Sequence, residues 1–176
     1  MSQLPAFSVN QTSPLPVTEE YFVDLCSRFM SKEKSELAKS LSLAPAQKEE
    51  KTPSSLVNQY YDFERKLRVA LAQMRAQKMK KEFVDEYTIL PQVPGDILNI
   101  ARNALSFESP LEAENYLNNE RVEYLEKIRP LDNFSDDAVF AYGLKLKLAT
   151  RIKNFNEEAG MASYRKIYDT ILGESK

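Results

Sequence analysis

The chain has 176 residues, 43% hydrophobic and 28% charged, with a formal net charge of −2. That length suits one domain, or one domain with a small appendage, burying roughly 70% of the surface its unfolded form exposes. It has no His and no Trp, and Cys26 is its one cysteine, which excludes a Ser-His-Asp triad, a Cys-His dyad, a zinc ribbon and an intrachain disulfide within one chain.

Residues 1–16 carry Pro5, Pro14 and Pro16 among Ser, Asn, Gln and Thr, and read as an extended arm that Phe7 and Leu15 can dock onto the body. Thr18 followed by Glu19 and Glu20 is a helix start, because a hydroxyl caps free amides and acids suit the positive helix end. Tyr21, Phe22, Leu25, Cys26 and Phe29 then recur at helical spacing, and Ser31 opens a second short helix carrying Leu37 and Leu41. Residues 17–43 are thus expected to form a helical hairpin. Residues 44–53, charged and without large apolar side chains, are expected to link it to a main helical domain over 54–176.

Thr52-Pro53 signals the start of the longest helix, expected over about 54–84, since neither Gly nor Pro interrupts Ser54 to Thr88. Leu56, Tyr60, Phe63, Leu67, Ala70 and Met74 lie on one stripe of it, which predicts a core seam. Pro91, Pro94 and Gly95 break the pattern. Asp96 is expected to cap a helix through Ile97, Ile100, Ala101 and Leu105. Ser109-Pro110, with Glu112 at the capping-box position, opens the next, and Pro130 ends it. Ser135, Asp136 and Asp137 open a helix through Ile152, and Asn156, Glu157 and Glu158 open a last one that Gly173 stops. No segment alternates with period two. The expected fold is all-α, a helical bundle of about seven helices with one long central helix.

The four glycines are too far apart for a phosphate-binding loop, and no apolar run approaches the ~18 residues that span a bilayer. The N-terminus shows no basic-then-apolar leader pattern. From Leu56 to Val84 seven basic residues face three acids, a net of +4. From Phe107 to Asp137 nine acids face three basic residues, a net of −6. Such opposite fields pair within a fold or present charged faces to a partner. Lys145 falls on the apolar side of its helix and must reach the surface or meet an acid. Glu64 and an acid of the 107–137 segment are the candidates. The adjacent pairs Asp136-Asp137 and Glu157-Glu158 sit at helix starts, where acids have an ordinary capping role, and no catalytic pair is read from them.

Four stretches carry a family resemblance. They are LPAF from Leu4, YYDFERKLRVALAQMRAQK from Tyr60, SPLEAENYLNNERVEYLEKI from Ser109, and FSDDAVFAYGLKLKLATRIKNFNEEAG from Phe134. In this order they resemble an uncharacterised bacterial family encoded beside the subunits of V-type ATPases. Glu64, Arg65, Arg68 and Arg75-Ala76 match its long acid-arginine helix, and Pro110 to Glu114 its Pro-Leu-Glu-Ala-Glu opening. Arg121, Tyr124 and Leu125 match the next helix, Tyr142, Lys145 and Leu146 its Tyr-x-x-Lys-Leu helix, and Phe155, Asn156 and Gly160 its terminal turn. Members of that family open on an aromatic-rich segment, whereas Met1 to Gln3 precede Leu4 here. More distantly, the helical pattern is similar to the C (d) subunit of V-type ATPases, a helical socket between central stalk and rotor ring.

The resemblance implies a non-catalytic coupling subunit or accessory of a V-type ATPase. Such a protein is cytoplasmic, reaching the inner face of the membrane only through the ATPase complex. No catalytic residue, metal or cofactor is expected, nor a small-molecule substrate. The expected partners are ATPase head and rotor or stalk subunits. Expected contact residues are Arg75, Lys78, Lys80 and Lys81 at the basic helix end, then the acids Glu114, Glu120 and Glu123. Glu64, Arg68, Arg121 and Lys145 are expected to be structural ion-pair members. The alternative is a nucleic-acid-binding or regulatory adaptor that uses the same basic end.

Overall fold

A computed structural model describes residues 4–9, 14–45, 51–80 and 92–154. Every regular element among them is a helix: α1 (Glu19–Phe29), α2 (Lys32–Ser40), α3 (Ser55–Lys78), α4 (Gly95–Ala104), α5 (Pro110–Ile128) and α6 (Asp136–Asn154). The all-α reading therefore holds, with six helices among the described residues. The seventh, expected over 156–172, lies outside them. No described helix is long and apolar enough to cross a membrane.

The helix starts follow local chemistry. The Thr18 hydroxyl accepts from the Tyr21 amide at 3.2 Å, and Pro110 occupies the first turn of α5 behind the Ser109 cap. Three boundaries differ from expectation. Ser54, not Thr52, caps α3, accepting from the Val57 amide at 3.1 Å. Thr52 instead exchanges hydrogen bonds with the Asn58 side chain, both at 2.8 Å. Asp96 lies inside α4, whose cap is Pro94. The long helix ends at Lys78 rather than near 84. Lys80 takes φ 52, the left-handed conformation that closes a helix, and its amide donates to the Gln77 carbonyl at 3.1 Å. The expected residues 81–84 of that helix lie outside the described chain.

Two apolar clusters fill the body. The first joins α1, α2, the start of α3, the end of α5 and most of α6 around Phe22, Tyr60, Leu125, Phe140 and Leu144. The second joins the middle of α3 to α4 and α5 around Phe63, Leu67, Ala101 and Leu117. The α3 stripe crosses both. Leu56 to Ala70 of that stripe are buried, and Met74 packs at the edge. The N-terminal arm belongs to the first cluster: Phe7 and Leu15 dock as expected, and Val9 and Val17 are fully buried beside them.

Ion pairs pin the periphery. Lys147 of α6 donates to Glu19 of α1 at 2.8 Å, and Lys34 of α2 pairs with Asp136. Asp137 accepts from the Ser54 hydroxyl at 2.6 Å, so the starts of α3 and α6 lie side by side.

Gly143 lets α6 approach α1. A methyl group there would lie 2.7 Å from the Phe22 ring and 2.9 Å from Leu41, both buried. Alanine gains about 1 kcal/mol of helix propensity, but overpacking typically costs about 1–3 kcal/mol. The Phe22 ring is held against Tyr142, with centroids 5.9 Å apart, so relief by rotation is limited. Gly143→Ala should lower the urea midpoint, and Gly143→Val should lower it further.

Candidate functional site

The site is built on charges, and the innermost are already matched to one another. Glu64 on α3 is 0% exposed and Arg121 on α5 only 4%. The Arg121 guanidinium meets the Glu64 carboxylate in a two-pronged pair, Nε to Oε2 at 3.0 Å and Nη2 to Oε1 at 3.1 Å. Burial by itself pulls the Arg121 pKa down. The Glu64 charge and hydrogen bonds more than offset this and hold it above the ordinary value.

The pair extends in both directions. Arg68 donates to Glu64 at 3.0 Å and to the Leu43 carbonyl at 3.2 Å. The remaining Arg121 nitrogen reaches Asn118 at 3.0 Å and Glu114 at 3.2 Å, and Glu114 also accepts from Arg151 of α6 at 2.6 Å. Three helices are thereby tied through one charged chain. The fully buried Tyr60 hydroxyl lies beside it, its pKa pushed up first by burial and then by the Glu64 charge.

This arrangement sorts the residues expected at a partner surface. Arg75, Lys78 and Lys80 are exposed at the end of α3. Lys81 lies outside the described residues. Glu123 is exposed and Glu120 half-buried. Glu114 is half-buried, its side chain 24% exposed, and it holds two arginines, Arg121 and Arg151. The basic end and the acidic segment do not neutralise each other. Among the described residues, no ion pair joins Arg75, Lys78 or Lys80 to Glu114, Glu120 or Glu123. Lys145 pairs with Glu126, an acid of the 107–137 segment, and not with Glu64.

A second feature was not legible in the sequence. The LPAF segment and the Tyr-x-x-Lys helix, both singled out by resemblance, meet in space. The Tyr142 hydroxyl donates to the Pro5 carbonyl at 3.1 Å, the Phe7 ring stands edge-on to Tyr142 with centroids 5.1 Å apart, and the Lys145 ammonium lies 5.8 Å from the Phe7 centroid. Burial pushes the Tyr142 phenol above its ordinary pKa, so it remains a donor at neutral pH. Beside this junction a cleft of about 370 Å³ opens toward the α5–α6 turn, which brings in Arg129, Asn133 and Phe134. Arg129 and Phe134 were not singled out because only the turn carries them to α6.

The fold and these sites define an all-helical protein with an ion-paired interior and charged surfaces suited to contacts. A family model described as "Protein of unknown function (DUF2764)" matches residues 4–103, more than half of the chain, and the chain belongs to that family. No curated protein and no solved structure matches it.

The double pairing of Glu114 has a direct consequence for stability. Glu114→Gln should lower the unfolding free energy by about 1–3 kcal/mol, because two guanidiniums lose their charged acceptor. Glu123→Gln, on the exposed side of α5, should change it by less than about 0.5 kcal/mol. Urea titrations of the two variants would check this contrast.

Proposed function

We propose that this protein is a non-catalytic coupling subunit or accessory factor of a V-type ATPase, central-stalk and C-subunit-like, acting through protein–protein contacts. The assembly is named by the sequence resemblance. The surface chemistry favours a contact role, and one observation carries it: the buried Glu64 and Arg121 are paired with each other, while the cations ending the longest helix have no acid paired to them among the described residues. Arg75, Lys78 and Lys80 stand exposed within one and a half turns, with no acid paired to them among the described residues. Three like charges with no acid paired to them among the described residues repel one another and gain from an acidic partner, mainly through faster association.

A coupling element must also resist deformation. The helices are packed along two continuous apolar clusters and cross-tied by the buried charged chain. Closely packed interiors transmit strain rather than absorb it. The protein would sit at the inner face of the membrane only through the ATPase complex.

The test is a pull-down of the tagged full chain from its native cell at moderate salt, with mass spectrometry of what is retained. Head and rotor subunits in near-equal amounts are expected. Reversing Arg75, Lys78 and Lys80 together to Glu should cut their recovery at least about tenfold at physiological salt, leaving helix content unchanged by circular dichroism. Clean absence of ATPase subunits would overturn the reading. Binding to random oligonucleotides that falls steeply with salt would replace it with the nucleic-acid adaptor.

A further inference from the structure

The cleft beside the N-terminal segment has features that neither the fold nor the charged end of α3 explains. Its apolar wall comes from Leu4 and Ala6 on one side and Val139 of α6 on the other, and Arg129 and Lys145 stand at its polar side. Phe134 forms an edge at 73% exposure, and Leu131 in the same turn is fully exposed. A large apolar side chain at the edge of a concave site would gain by being covered.

The cations there are unequally held. Arg129 and Lys145 share a single carboxylate, Glu126. Lys145 is directly bonded to it, whereas the Arg129 nitrogen stands 3.6 Å away, beyond hydrogen-bonding reach. The other terminal nitrogen of Arg129 donates at 2.9 Å to the neutral Asn133 side chain. None of the neighbouring acids bonds Arg129: Asp132 accepts from the Phe134 amide, Asp136 pairs with Lys34, and Asp137 accepts from Ser54. The Arg129 guanidinium is thus without a hydrogen-bonded carboxylate and keeps donors for an incoming acceptor. A planar guanidinium takes a carboxylate in two-pronged fashion.

We propose that this cleft binds a carboxylate carried next to an apolar or aromatic side chain, as presented by an acidic-hydrophobic segment of a partner protein. The volume of about 370 Å³ lies in the range of small-ligand pockets, roughly 300–1,000 Å³. The apolar side chain packs on Leu4, Val139 and Phe134, and the carboxylate meets Arg129 and Lys145. The Phe7 ring braces Lys145, so the N-terminal segment positions the cation as well as lining the wall. The proposal rests on the reading of the chain as a contact protein and names the chemistry of one contact.

The test uses the purified full chain, labelled with nitrogen-15, and two probes that differ only in charge. N-acetyl-L-phenylalanine should produce saturable amide shifts at Val139, Tyr142 and Lys145, with a dissociation constant on the order of a millimolar. N-acetyl-L-phenylalaninamide should bind at least about tenfold more weakly, because it lacks the carboxylate. Arg129→Gln should weaken the acid probe while leaving the amide probe unchanged, an internal control that the variant remains folded. No saturable shift, equal binding of the two probes, or shifts confined to the end of α3 would overturn the proposal. Retention of ATPase subunits in the pull-down alongside any of those results would sink the cleft alone and leave the coupling role standing.

Discussion

The architecture depends on one buried ion pair, Glu64 with Arg121. The two residues sit where the two apolar clusters meet, since Tyr60 and Leu125 belong to the first and Phe63, Leu67 and Leu117 to the second. An ionised group at that depth costs several kcal/mol unless its partner arrives in good geometry. Alternative registers of α3 against α5 would therefore bury an unpaired charge. The stacked rings of Phe63 and Tyr124, 4.0 Å between centroids, fit only the same alignment. Replacing such a pair by matched apolar residues often loses no stability. What it contributes here is register, and Arg68, Asn118, Glu114 and Arg151 carry that register on to the α2–α3 connection and to α6.

Outside the Glu64–Arg121 chain, charges gather at the surface. The end of α3 presents cations and the outer side of α5 presents acids such as Glu123. The cleft at the α5–α6 turn adds an apolar concavity beside Arg129 and Lys145. These features lie on a body held rigid by packing.

Local features were legible in the sequence. The Thr18 and Ser109 caps, the apolar stripe of α3 and the absence of strands among the described residues follow from chemistry within a few residues. The misjudged boundaries also have local causes, such as the Thr52–Asn58 exchange that moves the cap of α3 to Ser54. Long-range features were not legible. Glu64 and Arg121 are 57 positions apart, and Pro5 and Tyr142 are 137 apart, so no periodicity could join them. Glu114 looks like any other acid on an acidic helix. Only the arrival of Arg151 from α6 gives it a second arginine. The buried Val9 and Val17 were hidden by their proline-rich, polar surroundings, where burial depends on what the body offers and not on any repeat in the arm.

The central claim is that Glu64 and Arg121 act as one unit. A double-mutant cycle by urea unfolding, with Glu64→Leu, Arg121→Met and both together, tests it most directly. The account predicts that each single change costs about 3–5 kcal/mol, because it leaves the opposite buried charge with only Arg68 or Glu114, and that the double change costs at least about 2 kcal/mol less than their sum. Additive effects within about 0.5 kcal/mol would contradict it, and would mean that the apolar clusters alone align the helices.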